Sequence, residues 1–232
     1  MSYSLTSTSV FSVLNIIRDL GVHIHSNLKF DIHVETITRK ALGVLYSIFR
    51  SLECNKPEIY IRCYRSYVLP IVEFASQVWS PYLVKDIRHL ESVQRKFSRL
   101  LFQRCPLLRV NSRLFPMYET RLLALNIPSL YYRRVLADSV FAFEILKREL
   151  QLPINSFYTF KLDAIHPTYF KFYMRLESRI NFRNSFGHRT SRYLTRLPDS
   201  LNVLPNSINF KRELLRLPDS LGLLDIEIDL VR

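Results

Sequence analysis

The 232-residue sequence has only four glycines, three cysteines and one tryptophan. So few glycines exclude a glycine-rich phosphate loop and favour a compact, helix-rich protein. Cys54, Cys63 and Cys105 are odd in number and lack the close pairing of zinc ligands, which predicts buried free thiols in a reducing compartment. Neither a metal site nor a disulfide framework is indicated.

The sequence also shows neither the pattern of a signal peptide nor that of a membrane-spanning helix. The first ten residues have no basic region and no apolar run. The most apolar stretch, residues 67–79, is broken by Pro70, Glu73 and Gln77 and is too short to cross a bilayer. We therefore expect an intracellular protein of the nucleus or cytoplasm, with no membrane partner.

Positive charge, by contrast, is abundant and concentrated. The net charge is +13, and residues 85–113 and 161–196 each hold eight Lys/Arg against two Asp/Glu. Each window therefore carries a net charge of +6, while the positive and negative charges of the remaining residues nearly cancel. Concentrated charge of one sign suits a phosphate backbone or an anionic surface.

Apolar periodicity predicts mostly helices. We expect short strands at 10–17 and 20–25, which meet around Arg18 and Asp19, and a helix at 32–53. A helix from Pro57 should bend or break at Pro70 and end at Ser80-Pro81. A second helical unit should start near Tyr118, restart after residues 126–129 with Ser129 as a cap, and run to about Leu150 with Tyr132, Leu136, Val140, Phe143 and Leu146 on its apolar face.

After Pro153 the periodicity fades. We interpret residues 153–195 as irregular, with a short helix at 168–179, and residues 224–231 as one edge strand. The hexapeptide Arg-Leu-Pro-Asp-Ser-Leu occurs at 196–201 and again at 216–221, which indicates a repeated turn-and-cap device rather than a solenoid.

The helix predicted from Lys85 separates apolar from basic side chains most sharply. At 100° per residue, one side carries Ile87, Leu90, Val93, Phe97, Leu100 and Leu101, and the other carries Lys85, Arg88, Arg95, Lys96 and Arg99. Glu91 is the lone acid near the basic side. A solvated basic face is the plain interpretation; a surface that holds a polyanion is the functional one.

Other candidate ligands are weaker. Trp79, Tyr82 and Phe102 are possible base-stacking residues, although aromatics among Leu and Val usually belong to a core. Residues 169–192 interleave Tyr169, Phe170, Phe172, Tyr173, Phe182 and Phe186 with Arg175, Arg179, Arg183, Arg189 and Arg192, a composition typical of nucleic-acid surfaces but also of a solvated extension. His23, His25 and His33 lack a fourth ligand for a metal.

Several segments together resemble one family. They are Asp19-Leu20-Gly21-Val22, Tyr67 to Phe74 (YVLPIVEF), Val78-Trp79-Ser80-Pro81 and Leu90 to Phe97 (LESVQRKF), followed by Tyr118 to Leu122 and Asn126 to Leu130 and, more weakly, Phe210 to Leu214. Their order and spacing are similar to those of reverse transcriptases of non-LTR retrotransposons, of the LINE or jockey-like type. The likeness covers residues 18 to 150 well and lies after the catalytic palm.

The resemblance implies a mainly α fold with four parts. They are a primer-grip-like strand pair at 1–31, a thumb-like helical bundle at 32–110, a post-thumb helical unit at 111–152 and a basic, aromatic, irregular extension at 153–232. Leu20, Gly21 and Val22 would be the primer-grip residues. The family's tryptophan before a late Leu-Pro is absent from Arg192 to Pro198, which leaves the packing of this part open.

The resemblance does not extend to catalysis. A polymerase holds two metal ions with adjacent carboxylates, whereas this sequence contains no Asp-Asp dipeptide and nothing before Asp19 long enough to build a palm. We expect an RNA-directed DNA polymerase fragment that is inactive alone and has no cofactor, Mg²⁺ being needed only in a full-length polymerase.

Two functions remain open from the sequence. In the first, the chain holds RNA or an RNA–DNA hybrid duplex through Lys85, Arg88, Arg95, Lys96, Arg99 and Arg104, either alone or beside the palm and fingers of a reverse transcriptase. In the second, a former thumb bundle serves as a non-enzymatic protein-interaction module, or the chain is a non-functional element remnant. A membrane-bound basic helix is disfavoured because its apolar face is needed for the core.

Overall fold

A computed structural model describes residues 15–108, 115–162, 170–173 and 184–216. The protein is mainly α-helical with a small two-stranded hairpin at its N-terminal end. Strand β1 (Ile16–Asp19) pairs antiparallel with β2 (Val22–His25), with Asp19 opposite Val22. The predicted strand residues 10–14 lie outside the described residues.

The hairpin turns at Leu20 and Gly21, two residues later than the sequence indicated. Both residues have positive φ angles, 44° at Leu20 and 90° at Gly21. A two-residue turn with both φ values positive matches the right-handed twist of the strands, and Gly21 adopts it without strain. Gly21 is therefore a turn residue of the hairpin.

Four helices and a π-helical turn form the bundle that follows. They are α1 (Asp31–Ser51), α2 (Pro57–Cys63), the π turn (Tyr64–Val68), α3 (Leu69–Glu73) and α4 (Ser76–Trp79). Helix α1 buries Val34, Ile37, Ala41, Leu45 and Phe49 along one stripe with the helical period of 3.6. Pro57 occupies the first turn of α2, as expected; Lys56 precedes the helix, and no side chain caps it.

Pro70 does not break the helix. The π turn ends with the amide of Leu69 bonded to the carbonyl of Tyr64, and α3 continues through Pro70 in its first turn, where a missing N–H costs nothing. The chain bends instead at Ala75, whose φ of 52° is left-handed. Helix α4 then ends at Trp79, before Ser80-Pro81 as predicted.

The first core lies between α1, the π turn and helix α5 (Val84–Arg104). Tyr60 stacks on Phe49 with ring centroids 4.7 Å apart, and Tyr64 stacks on Phe97 at 3.9 Å. The Tyr60 hydroxyl donates to the Leu52 carbonyl over 2.8 Å. These tyrosines are buried with their polar ends satisfied, so they add apolar contact at little desolvation cost.

The second helical unit comprises α6 (Tyr118–Leu125) and α7 (Leu130–Leu146). Asn126, with φ of 49°, ends α6, and the Ser129 hydroxyl accepts from the Tyr132 amide over 3.1 Å, which confirms the predicted restart and cap. Helix α7 is shorter than predicted, and its buried face is rotated. It buries Leu130, Tyr131, Arg134, Val135, Asp138, Ser139, Ala142, Phe143 and Ile145, whereas Tyr132, Leu136, Val140 and Leu146 are half-buried.

The extension after Pro153 is not irregular where the structure describes it. Strands β3 (Thr159–Leu162) and β4 (Phe170–Tyr173) pair antiparallel, so residues 170–173 are a strand and not part of a helix. Helices α8 (Phe186–Leu194), α9 (Asp199–Asn202) and α10 (Ser207–Leu214) follow. Short 3₁₀ turns occupy Pro106–Leu108 and Ile154–Ser156.

A second core joins α7 to α8 and α10. Phe143 stacks on Phe210 with centroids 4.2 Å apart, and Tyr193, Leu194, Leu197, Leu201 and Leu214 are buried around them. Tyr193, Leu194 and Leu197 lie in the segment from Arg192 to Pro198, whose packing the sequence left open. In the first hexapeptide, Leu197 and Leu201 are buried and Pro198 precedes α9, so this copy is a turn that starts a helix; residues 217–232, with most of the second copy and the proposed last strand, lie outside the described residues.

Candidate nucleic-acid interface

Helix α5 divides its side chains between the core and solvent. Leu90, Val93, Phe97 and Leu101 are almost fully buried. On the opposite side, Lys85, Arg88, Arg95, Lys96 and Arg99 fall within an arc of about 100° and span about 21 Å of helix, which we call the basic surface. The structure places five of the six predicted cations on one side of one helix.

The five cations are not neutralised by carboxylates in the described part of the chain. Lys85, Arg88, Arg95 and Arg99 are exposed. The Arg95 guanidinium carbon lies 4.4 Å from the centre of the Tyr118 ring, and the Lys96 ammonium lies 5.7 Å from the Tyr46 ring. Such contacts orient a cation over an aromatic ring without removing its charge.

Glu91, the acid nearest to the basic surface in sequence, is turned inward. Its carboxylate accepts a bond from the Tyr118 hydroxyl and bonds of 3.2 Å from the amides of Leu130 and Tyr131. The last two amides belong to the first turn of α7, where a negative charge is favourable. Burial and the adjacent Glu91 raise the pKa of the Tyr118 hydroxyl, so it stays a donor. The basic surface is cationic because Glu91, the one acid near it, is buried and caps the first turn of α7.

Arg104, also predicted for this site, lies apart from the basic surface. Its position on the helix is about 80° from the nearest member of the arc, and its Nη2 donates to the Phe49 carbonyl over 2.8 Å. That carbonyl is in the last turn of α1, where cations satisfy free carbonyls. Arg104 joins α5 to α1, and we leave it out of the basic surface.

The aromatic residues near the site belong mainly to the core. Trp79 is fully buried, its indole N–H donates to the Phe74 carbonyl over 2.7 Å, and the His33 ring meets it edge-on at 5.1 Å. Phe102 is buried as well. Tyr82 is half-buried. Neither Trp79 nor Phe102 is accessible to a base.

The second basic window contributes little to an exposed surface where it is described. Arg189 is buried: its Nε donates to Asp138 Oδ2 over 2.8 Å, and its other nitrogens reach the carbonyls of Gln77 and Asn184. Arg189 is therefore neither an exposed nucleic-acid contact nor a solvated cation, because it joins α8 to α7. Arg192 is exposed, and Phe186 is half-buried. Residues 163–169 and 174–183, with Tyr169, Arg175, Arg179, Phe182 and Arg183, lie outside the described residues.

The three primer-grip-like residues occupy the hairpin turn. Leu20 is 88% exposed, Gly21 completes the turn and Val22 is buried in the first core. An ideal Cβ at Gly21 would lie 3.9 Å from the Phe74 ring, so the turn sits beside the bend between α3 and α4. The turn thus presents one apolar side chain to solvent next to the exposed ring of Phe74.

The histidines and thiols do not form a metal centre in the described residues. The Nδ1 atom of His33 accepts from the His23 amide over 3.4 Å, and burial with the nearby His23 lowers the pKa of His33 to about 4. Cys105 is buried and Cys54 and Cys63 are half-buried as free thiols, with burial raising the pKa of Cys105.

Sequence reasoning missed the buried charges of α7. Arg134 and Asp138 lie one turn apart on its buried face, and Arg189 pairs with Asp138. Burial raises the pKa of Asp138, and Arg189 opposes that shift. The spacing of Arg134 and Asp138 by four residues, inside a helix otherwise rich in apolar residues, was the available signal. The buried face of α7 does not follow from its apolar residues alone, because Arg134, Asp138 and Ser139 are part of it.

The site is thus a cationic helix face on a mainly α protein. The chain is 25% identical over 141 residues to an uncharacterized protein of Caenorhabditis elegans, an alignment that covers 61% of this chain and 68% of that protein. No family model matches the chain, and no solved structure matches it. Among the described residues, no helix is long and apolar enough to pass through a membrane.

Proposed function

We propose that the chain holds RNA or an RNA–DNA hybrid duplex through the basic surface, as the thumb part of a LINE-type reverse transcriptase would. The observation that supports this most is the row of five cations along about 21 Å of α5, none of them ion-paired with a described carboxylate. The sequence resemblance to non-LTR reverse transcriptases supplies the kind of polymer and the expected place in the nucleus or cytoplasm.

Binding through this surface should depend strongly on charge and only weakly on the sequence of the nucleic acid. Contacts from Lys and Arg to phosphates release counterions, so affinity falls steeply as salt rises. Phosphate contacts set position but carry no sequence information. The core position of Trp79 and Phe102 removes two predicted base contacts and makes the proposal one of backbone recognition.

The proposed role is non-catalytic. The sequence offers no adjacent aspartates to hold two metal ions, so the chain would grip a duplex while a palm and fingers supply the chemistry and the Mg²⁺. Such a palm-containing partner is part of the proposal. The chain alone should incorporate no nucleotide into a primed template.

The test is a salt titration of duplex binding by the wild-type chain and by Lys85→Gln/Arg88→Gln/Arg99→Gln. These three side chains are exposed and touch no described aromatic ring, so their loss should not disturb packing. Each phosphate contact adds about 0.9 to the slope of log affinity against log salt, so the triple variant should lose about 3 from that slope. Fluorescence anisotropy of a labelled RNA–DNA hybrid measures it.

A matched control removes the same charge elsewhere. Lys56→Gln/Arg62→Gln/Arg65→Gln changes three exposed cations around α2 and the π turn, which pack against α5 through Tyr64 and Phe97, on the side away from the basic surface. The control should bind the duplex nearly as the wild type does. Equal losses in the two triple variants would mean that net charge, and not this surface, binds the duplex.

Exposed apolar residues favour a second candidate, a protein-interaction module. Leu20 is 88% exposed beside Phe74, which is 61% exposed, and Tyr67 and Val78 nearby in the chain are also exposed. Apolar groups clustered at a surface mark sites where proteins meet. If a captured partner stays bound when excess unlabelled duplex is added and is lost in Leu20→Ser/Phe74→Ser, this candidate replaces the first.

A further inference from the structure

Arg121 on α6 is a cation that no sequence pattern assigned to the basic surface. It lies beside that surface, because its Nε donates to the Ser98 hydroxyl over 3.1 Å and Ser98 belongs to α5. Its Nη1 donates to the Pro116 carbonyl over 2.6 Å, and its guanidinium carbon lies 5.3 Å from the centre of the Phe115 ring. These contacts hold the guanidinium in one orientation against α5.

The Nη2 atom of Arg121 can still bind a ligand. In the described part of the chain Nη2 has no hydrogen-bond partner, and it is not enclosed by protein as the three nitrogens of Arg134 are. A guanidinium carries five donors, and Arg121 uses two of them here. Although the residue as a whole is only 7% exposed, the two donors of Nη2 can therefore meet an acceptor that comes from solvent.

Two cations of the basic surface lie next to Arg121. The guanidinium carbons of Arg95 and Arg121 lie 4.4 and 5.7 Å from the centre of the same Tyr118 ring. Burial lowers the pKa of Arg121, and the like charges of Arg99 and Arg95 add to that shift, while Tyr118 and Glu119 oppose it. The three arginines, which we call the arginine cluster, therefore repel one another, and an anion between them would relieve that repulsion.

No carboxylate of the described residues forms an ion pair with the arginine cluster. Glu119 acts on Arg121 through its charge, but it is exposed and donates no bond to the cluster nor accepts one from it. Glu91 is turned inward and is bonded to the Tyr118 hydroxyl and to two α7 amides. The positive charge of the cluster is therefore available to a ligand.

We propose that the arginine cluster binds one phosphate of a nucleic-acid strand, with Arg121 as its fixed contact and the exposed side chains of Arg95 and Arg99 closing on the same group. Guanidinium groups match phosphate oxygens in geometry and charge. Ser98, which holds Arg121, lies about 60° from Arg95 around α5, so the cluster widens the basic surface with a contact from a second helix. This inference rests on the proposed function, whose duplex supplies the phosphate.

The fixed orientation of Arg121 gives it a weight that its small exposure does not suggest. An exposed lysine or arginine loses side-chain freedom when it binds, whereas Arg121 is already held by Ser98, Pro116 and the Phe115 ring. Loss of Arg121 should therefore weaken duplex binding more than loss of Lys85, although both substitutions remove one positive charge.

Fluorescence anisotropy of the labelled RNA–DNA hybrid with the full chain tests the cluster. Arg121→Gln should weaken binding about tenfold at about 0.1 M salt and lower the slope of log affinity against log salt by about 1. Lys85→Gln, which removes the same charge from the far end of the basic surface, should weaken binding only about threefold. Equal losses in the two variants would overturn the special role of Arg121.

A surface substitution tests the cluster even if Arg121→Gln fails to fold. Glu119→Gln removes the exposed acid beside Arg121 and should tighten binding about threefold at about 0.1 M salt. Glu58→Gln removes an exposed acid from α2 and should leave the affinity unchanged, because salt screens charges that lie more than about 10 Å apart. If Glu119→Gln binds no more tightly than Glu58→Gln, the cluster does not hold a phosphate.

A double variant shows whether the arginines share one phosphate. Arg99→Gln/Arg121→Gln should lose less affinity than the product of the two single losses, because the second substitution removes a contact that the first has already weakened. Losses that multiply would assign the two arginines to separate phosphates and contradict the proposal.

The same titrations separate failure of the cluster from failure of the proposed function. If the wild type binds the hybrid and Lys85→Gln/Arg88→Gln/Arg99→Gln loses the expected slope while a folded Arg121→Gln binds as the wild type does, only the cluster is overturned. If the wild type shows no salt-dependent binding, the proposed function fails and the cluster fails with it.

Discussion

Single buried polar side chains determine how the elements of this protein meet. Glu91 is the clearest case, since one carboxylate serves the Tyr118 hydroxyl and two amides at the start of α7. Nothing in the apolar period of α5 distinguishes Glu91 from a solvated acid. Its inward position depends on donors that lie about 30 to 40 residues further along the chain, which a local pattern does not contain.

Glu91→Gln should lower the free energy of unfolding by about 1–3 kcal/mol, because an amide has only one acceptor oxygen for three donors. Urea denaturation followed by circular dichroism measures the change. Glu119→Gln, an exposed neighbour of Tyr118, is the matched control and should shift stability by less than about 0.5 kcal/mol. Similar effects of the two substitutions would contradict the capping role of Glu91.

His33 makes stability depend on pH. The pKa of His33 is lowered to about 4, from an ordinary value of 6.5, so between these values the unfolded chain binds more protons than the folded one. Stability is therefore complete above pH 6.5 and falls as the pH drops towards 4, by about 2–3 kcal/mol. Urea midpoints across this range should show the slope, and His33→Gln should reduce it.

An exposed histidine provides the comparison. His89 lies on α5 in contact with solvent, and His89→Gln should keep the slope of the wild type. If the slope disappears in His89→Gln but persists in His33→Gln, the pH dependence of stability comes from His89 and not from His33.

At the scale of elements, the sequence predicted helices well where one apolar stripe meets one partner. Helices α1 and α5 have close to the expected bounds and faces, because Val34 to Phe49 and Leu90 to Leu101 pack against each other. Helix α7 was placed correctly but rotated, because Arg134, Asp138 and Ser139 are part of its buried face. The sequence predicted that the cations of α5 lie together on one side of the helix. That a ligand binds there stays a prediction.

The backbone of the hairpin turn is strained at Leu20. Leu20 has φ of 44° yet buries almost nothing, and leucine in this region costs about 1–2 kcal/mol compared with glycine. Leu20→Asn should therefore raise the free energy of unfolding by about 1 kcal/mol, since Asn-Gly is the favoured sequence for such a turn. Urea denaturation checks this prediction.

Leu107→Asn is a suitable control for that substitution. Leu107 is as exposed as Leu20 but does not have a positive φ, so its replacement should leave stability unchanged. If Leu20→Asn destabilises the chain, the leucine makes a contact that its exposure does not reveal.

At the scale of the whole molecule, polar contacts join the two cores. Gln94 accepts from Tyr64 in the first core and donates to the Pro128 carbonyl over 2.8 Å just before α7. Glu73 pairs with Arg133, with Nη2 to Oε2 at 3.0 Å, and Arg189 reaches the Gln77 carbonyl. Contacts of this kind, such as that of Arg189 with Gln77, explain why the region after Pro153 was predicted to be irregular. Its helices are short, and they are ordered by contacts with α7 and not by an apolar period of their own.

The two cores should consequently unfold together. Trp79 is the one tryptophan and lies in the first core, whereas circular dichroism reports helices of both. In urea the two signals should give coincident transitions. Asp138→Asn, which breaks the buried pair holding α8 to α7, should cost about 3–5 kcal/mol and separate the curves. Separate transitions already in the wild type would mean two independent units.

The π turn at Tyr64–Val68 has a consequence for how the length of this segment is constrained. It holds one residue more than a regular helical turn, and it takes up that residue by winding less per residue, so α2 and α3 keep the relative phase that a regular helix would give them. Deleting Ser66 should therefore restore a regular turn and leave Tyr60 stacked on Phe49. Inserting one more residue here should instead rotate α2 by about 100° and swing Tyr60 away from Phe49, so we expect the lengthened chain to be far less stable than the shortened one, although Arg65, Ser66 and Tyr67 are all exposed.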